Sequence, residues 1–152
     1  MNPPLRNRDD QEALLAGLLD GTIDMIATDH APHSAEEKAK GLRGSAMGVV
    51  GIETAFPLLY TYLVETGKMP LEMLIDRMAD APRRRFRIDG GMQVGDKAAV
   101  TVFDLHAQEK IDPNTFLSKG DATPFEGWKV HAACRLTICG DKIAYNALSR
   151  KE

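Results

Sequence analysis

Cysteine is scarce in this sequence, and no long apolar run occurs. Each shortage removes a class of protein. Two cysteines, Cys134 and Cys139, are too few to staple a disulfide scaffold in a chain of 152 residues. Their spacing is not that of a zinc knuckle, and reduced thiols in a cytoplasmic protein are the simpler reading. No apolar stretch approaches the roughly 20 residues that cross a bilayer. Met1-Asn2-Pro3-Pro4 lacks the charged and apolar regions of a secretory signal. No membrane partner is expected. Positive charge is not concentrated either: the formal net charge is -3, and the one basic cluster is Arg83-Arg84-Arg85 with Arg87. That cluster follows an expected helix, whose C-terminal end favours cations, so no nucleic-acid partner is expected. Internal repeats, low-complexity tracts and heptads are absent. What remains is a mildly acidic chain long enough for one domain with its own core.

The chain is organised around Ile23-Asp24-Met25-Ile26-Ala27-Thr28-Asp29-His30-Ala31-Pro32-His33. The run Met25–Ala27 is short enough for one buried parallel strand. Pro32 disfavours helix at Ala31, so strand must give way to loop. Asp29, His30 and His33 therefore gather where a strand ends, the edge at which α/β folds and barrel enzymes keep their ligands. A carboxylate and two imidazoles so close suit a metal ion, or a general base paired with a substrate anchor. The plainer alternative is an aspartate that only caps a helix or a turn, beside a surface histidine. Pro32 also argues against both histidines lying on one helical turn, as H-E-x-x-H would require.

Around this stretch the elements alternate. Asp9-Asp10 can cap a helix from about Gln11 to Leu19, with Ala13, Leu14, Leu15, Leu18 and Leu19 on one face and Gly21 closing it. A helix before a parallel strand is half of a βα repeat. Ser34–Ser45 is polar, with one helical turn from Ala35 to Lys40 inside a mobile loop. Gly48 and Gly51 either let backbone approach a ligand closely or make a flexible helix entry. Glu53–Thr66 is a strong helix whose Phe56, Leu59, Tyr60 and Leu63 are expected in the core. Leu71–Met78 follows Pro70 and buries Met73, Leu74 and Met78. A short helix runs from Ala81-Pro82 to Phe86. After Gly90-Gly91 the character changes: Ala98–Asp104, Trp128–His131, Arg135–Cys139 and Lys142–Tyr145 read as strands. Cys139-Gly140-Asp141-Lys142 reads as a hairpin turn. Residues from about 90 to 146 thus form a small, largely antiparallel β unit.

Asn2-Pro3-Pro4-Leu5-Arg6, Asp24–His33, Gly48-Val49-Val50-Gly51-Ile52-Glu53-Thr54-Ala55-Phe56-Pro57 and Thr123-Pro124-Phe125-Glu126-Gly127-Trp128 together closely resemble the longer bacterial type of dihydroorotase. That family lies within the amidohydrolase superfamily. Hydantoinases and allantoinases look similar around the aspartate but typically lack the second histidine. The resemblance runs end to end and corresponds to about the C-terminal third of such an enzyme. It implies an α/β fold: the last strand and flanking helices of a (β/α)8 metal-dependent hydrolase barrel over residues 1–88, and a small β-sandwich unit over 89–152. It implies reversible hydrolysis of (S)-dihydroorotate to N-carbamoyl-L-aspartate in pyrimidine biosynthesis, in the cytoplasm, with two zinc ions per complete site. By the same resemblance Asp29 is a metal ligand and the catalytic acid/base, passing a proton from a metal-bound hydroxide to the leaving nitrogen. Asn2, His33, Met47 and Gly48 bind substrate, Met47 and Gly48 through their backbone. His30 is given no ligand's role, only that of supporting a ligand or the local structure.

The family's other metal ligands belong to earlier strands, and His106 and His131 lie outside any match. One aspartate does not hold zinc. The chain is therefore expected to be a proteolytic remnant, a truncated reading frame or one half of a split enzyme, inactive alone. Its strand edges and apolar helix faces call for an N-terminal barrel segment, or for dimerisation or swapping as a homodimer. The alternatives are a non-catalytic relative serving as structural partner of another pyrimidine enzyme such as aspartate transcarbamoylase, another cyclic amidohydrolase, and a small β-rich interaction module.

Overall fold

The computed structural model describes residues 2–4 and 6–148. Leu5 of the Asn-Pro-Pro-Leu-Arg motif lies outside the described residues, as do Met1 and 149–152 at the two ends of the expected domains.

The first helix, α1 (Arg8–Asp20), begins earlier than Asp9-Asp10 would allow as caps. Asn7 is the cap: its backbone is extended, and its side-chain oxygen accepts the Asp10 amide at 3.0 Å. Asp9 and Asp10 instead occupy the first turn, where carboxylates suit the positive end of the helix. Gly21, at φ 87°, closes α1 as expected. None of the residues of α1 is buried, and Leu14 is 57% exposed.

The expected strand at Met25–Ala27 is not formed: these residues join no ladder. The Ile26 amide donates instead to the Arg77 carbonyl at 3.0 Å, and the Arg77 guanidinium reaches the carbonyls of Leu18 and Asp24. A parallel strand needs a neighbour brought in by a crossover. Among the described residues none lies beside Met25–Ala27. Pairing begins only at His30, in a single parallel bridge to Val49.

Two short helices follow, α2 (Ala35–Lys38) and α3 (Gly41–Gly44). A capping box starts α2, with the Ser34 hydroxyl and the Glu37 carboxylate exchanging bonds with each other's backbone amide. Next, α4 (Ala55–Leu59) widens into a π-helical turn at Tyr60–Val64. Likewise α5 (Leu71–Ile75) widens at Asp76–Asp80 and passes into α6 (Ala81–Phe86).

Three antiparallel strands complete the chain, β1 (Ala99–Lys110), β2 (Lys129–Cys139) and β3 (Lys142–Asn146), with β2 in the centre. The two strands expected at Trp128–His131 and Arg135–Cys139 are one. Ala132, at φ 72°, turns the chain between them without ending the ladder. There Asp104 pairs with Ala133 and Gln108 with His131, so Leu105–Ala107 bulge against the single residue Ala132. The bulge also lets β1 run on past Asp104. Cys139 pairs with Lys142 across the expected hairpin turn.

One group of buried residues lies where α4 meets this sheet. Leu58, Ile111 and Val130 form one cluster, with Phe116 and Phe125 packed against it. Val50, Met69 and Leu74 are fully buried. Phe56, Leu59, Tyr60 and Leu63, expected in the core, are only half-buried, as are Met73 and Met78, because these helices are covered on one side alone. Phe56 stacks on Phe103 with ring centroids 4.1 Å apart. His131 joins the layers: its amide donates to Thr61 Oγ1 at 2.8 Å, and its Nδ1 lies 2.6 Å from the Glu65 carboxylate. The result is a mixed α/β arrangement of a three-stranded sheet and helices. No helix is long and apolar enough to cross a membrane among the described residues.

Candidate functional site

The chain turns at Asp29, not at Pro32. Asp29 adopts φ 46°, a left-handed conformation that aspartate tolerates better than most residues. Its carboxylate is exposed and accepts no hydrogen bond among the described residues. An aspartate that served only as a cap would have its oxygen on a nearby amide. The one side-chain acceptor in this turn is Thr28 Oγ1, which takes the His30 amide at 3.3 Å.

His30 is engaged by backbone. Its Nδ1 accepts the amides of Gly51 and Ile52 at 3.2 and 3.3 Å, so Nδ1 carries no proton. The imidazole fastens residues 51–52 to residues 28–31, the structural role expected of it. Alongside, the Ala31 amide donates to the Val49 carbonyl at 3.0 Å.

The glycines make this approach possible. A Cβ on Gly48, at φ 137°, would lie 2.5 Å from the Ala31 Cβ. One on Gly51 would lie 2.9 Å from the Thr28 carbonyl. Their smallness admits the chain's own Thr28–Ala31 backbone rather than merely loosening a helix entry.

His33 and Met47 meet across the same seam. His33 Nε2 lies 3.0 Å from the Met47 carbonyl oxygen, which only accepts, so Nε2 carries the hydrogen. On the other side Nδ1 is 3.7 Å from Glu37 Oε2. The Ser34 amide and hydroxyl hold the Glu37 carboxyl below its ordinary pKa, with a smaller contribution from His33. The Met47 side chain is exposed and only its backbone faces His33.

Of the residues singled out in the sequence, the structure thus brings His33, Met47 and Gly48 together, close in sequence to Asp29. Asn2 is exposed and bonds to none of them. Two contributors were given no site role by the sequence, although Glu53 lies within the Gly48–Pro57 motif. Lys38 donates to the carbonyls of Ala46 and Gly48 at 2.9 and 2.7 Å. Glu53 accepts the amides of Leu117 and Ser118 at 2.8 and 3.0 Å. Both look like solvated charges in a polar loop and a helix entry.

A metal centre needs more than this. Among the described residues no three His, Cys, Asp or Glu side chains converge as a metal site. His131 is engaged by Glu65, and Asp29 alone offers one carboxylate. The residues described do not by themselves fit a zinc ion, which takes about four ligands.

No protein-family model matches the chain. Whole proteins do. Over 95% of its length the chain is 56% identical to a dihydroorotase from Anoxybacillus flavithermus. The sequence is dihydroorotase-like. It covers 34% of that protein, so the chain spans about a third of the length of the dihydroorotases it matches. Among solved structures, L-hydantoinase (dihydropyrimidinase) from Arthrobacter aurescens superposes with a TM-score of 0.85 at 31% identity, over 95% of this chain and 34% of that one. The inactive dihydroorotase-like domain of the Chaetomium thermophilum CAD-like multifunctional protein gives a TM-score of 0.67 at 26% identity, over 94% of this chain and 38% of that one. The chain is therefore nearer in sequence to dihydroorotase than to the hydantoinase whose fold it shares.

Proposed function

We propose that this chain supplies the Asp29–His33 portion of a dihydroorotase, which hydrolyses dihydroorotate reversibly to N-carbamoyl-L-aspartate in pyrimidine synthesis. The observation that carries the reading is an unpartnered Asp29 carboxylate, four residues from a histidine locked to the Met47–Gly48 backbone, in a dihydroorotase-like sequence. Opening a ring amide requires a group that takes a proton from the attacking water and returns it to the departing nitrogen. An exposed carboxylate free of internal hydrogen bonds can do both. His33 is assigned to the substrate's carboxylate by the likeness to dihydroorotase; its Nε2 hydrogen rests on the Met47 carbonyl here, so substrate would take that hydrogen in exchange for the Met47 bond. Peptide groups of Met47 and Gly48 offer the amide-like donor and acceptor that a cyclic ureide needs. Asn2 belongs to the same substrate set.

In this reading residues 1–88 join the barrel of the enzyme and residues 89–152 its small β unit. The remaining metal ligands come from another segment, on a longer chain or a second polypeptide. A cytoplasmic location goes with it, and the two free thiols agree. A second reading rests on the likeness to the inactive dihydroorotase-like domain: a non-catalytic partner of another pyrimidine enzyme. Asp29 and His33, both present, speak for catalysis.

The test compares the chain alone with the chain co-expressed with the N-terminal two thirds of a related dihydroorotase. Turnover and bound zinc in the pair alone, both lost in Asp29→Ala, support the reading. Zinc without turnover in the pair favours the non-catalytic partner. Turnover by the chain alone requires ligands other than those named here.

A further inference from the structure

Lys38 ends α2, where a lysine ordinarily faces the carbonyl end of its own helix. Here its half-buried ammonium leaves α2 and donates to Ala46 O at 2.9 Å and Gly48 O at 2.7 Å. Those carbonyls flank Met47, whose own carbonyl meets His33 Nε2 at 3.0 Å. Two further bonds strap the same segment to α2: Ser45 Oγ donates to Lys38 O at 2.6 Å, and the Ala46 amide donates to Glu37 O at 3.1 Å. Peptide groups are planar. Fixing the planes before and after the Met47–Gly48 peptide leaves that peptide two flipped orientations, of which the strapped segment presents to His33 the one with the Met47 carbonyl toward Nε2.

We propose that Lys38 is a positioning residue: through the Ala46 and Gly48 carbonyls it aims the Met47 carbonyl at His33 and sets the backbone that receives substrate. The inference rests on the reading of His33, Met47 and Gly48 as substrate contacts. Lys38 acts through the backbone, because two of its three donors are held by carbonyls. Its charge strengthens both bonds. An arginine can span two carbonyls in the same way; a methionine of similar length cannot.

The first readout needs no turnover. In the 152-residue chain, nitrogen NMR of the His33 ring reports which nitrogen carries hydrogen, and amide exchange at Ala31 reports the seam to Val49. Lys38→Met is expected to redistribute the His33 tautomers and to speed Ala31 exchange about tenfold, the scale set by losing a charge-assisted bond. Protection in β2 should stay unchanged, which verifies the fold. Lys38→Gln, a milder change, is read in the same way should Lys38→Met fail to fold. Lys38→Arg restores both signals, and Lys40→Met, which removes an exposed neighbouring charge, moves neither.

The second readout uses the active pair. Lys38→Met is expected to raise KM for dihydroorotate about tenfold while kcat changes only a few-fold, with recovery in Lys38→Arg. A His33 ring and Ala31 amide indifferent to Lys38→Met, or equally sensitive to Lys40→Met, would overturn the proposal. So would an unmoved KM in an active pair. An unsubstituted pair without turnover overturns the dihydroorotase reading instead; the ring signals still decide the strap.

Discussion

Strand β2 lies between two partners and buries Val130, Ala132 and Ala133, whereas α1 buries none of its 13 residues. Both segments carry the apolar pattern of their element. They differ in what lies opposite. Facing β2 are β1 and β3, which complete its hydrogen bonds, and α4 with the π-helical turn Tyr60–Val64, which pack against it. Against α1 and Met25–Ala27 lie Ile23, which reaches Gly17, the Arg77 guanidinium and the Arg77 carbonyl, and none of these completes a ladder. The candidate site lies at the junction of these two regions. Its seam between residues 28–33 and 46–52 is hydrogen-bonded, while Asp29 and the apolar run before it join no ladder among the described residues.

The largest effect should come from the Asp29 side. In the active pair, Asp29→Asn is expected to lower kcat by about 10²- to 10⁴-fold, the range of a lost proton-transfer group. Asparagine tolerates the left-handed backbone at Asp29, so the urea midpoint of the isolated chain should not move. Retained turnover would remove Asp29 from the chemistry.

Stability should divide along the same line. Leu74 is fully buried and Leu14 is 57% exposed. Leu74→Ala is expected to cost about 2–5 kcal/mol in urea unfolding. Leu14→Ala should cost no more than about 0.5 kcal/mol in the chain alone. Equal losses would erase the contrast between the regions. A weakened association of Leu14→Ala with the barrel segment would sharpen it.

The seam itself gives a smaller effect. Gly48→Ala combines a positive φ with a Cβ 2.5 Å from Ala31, and about 2–3 kcal/mol is expected from strain and displacement together. Gly67, at φ 71°, lies beside the left-handed region that side chains can enter and has open space around it, so Gly67→Ala should cost only about 1 kcal/mol. Unfolding of the two variants side by side separates backbone strain from close approach.

The smallest effect is acid titration. The Ser34 amide and hydroxyl hold the Glu37 carboxyl below its ordinary pKa, and the Asn114 amide and side chain do the same for Asp112. A depressed folded value means that each group's contribution is present above the ordinary carboxylate range and is lost as pH falls through the lowered one. NMR shifts of the Ser34 and Asn114 amides should therefore each hold until the pH falls below the ordinary range of its carboxylate and move there. Glu37→Gln should flatten the Ser34 curve alone.

Much of this architecture is legible in the sequence because local chemistry writes it. Gly21 after Leu18-Leu19, Pro70 before Leu71 and Gly140-Asp141 between apolar runs each mark an end that the structure keeps. Non-local facts are not written that way. An apolar run such as Met25–Ala27 states that it suits a strand, not that a neighbour is present. Ala132 gives no sign that it bends one strand rather than separating two. At the site, the motif residues His33, Met47 and Gly48 were readable, and the structure joins them. Lys38 was not, because a lysine in a polar loop looks the same whether it faces water or two carbonyls.

The loop at 117–122 looks like open surface, with Leu117 exposed. Yet Glu53 grips its first two amides, the Ala122 carbonyl receives the Val50 amide at 2.9 Å, and a Cβ on Gly120 would lie 2.8 Å from the His33 carbonyl. For anyone engineering the chain, this is a poor place to insert a tag and a good place to attach a reporter. A fluorophore at Ser118 would feel movement of the histidine segment from outside it, leaving the proposed substrate contacts untouched.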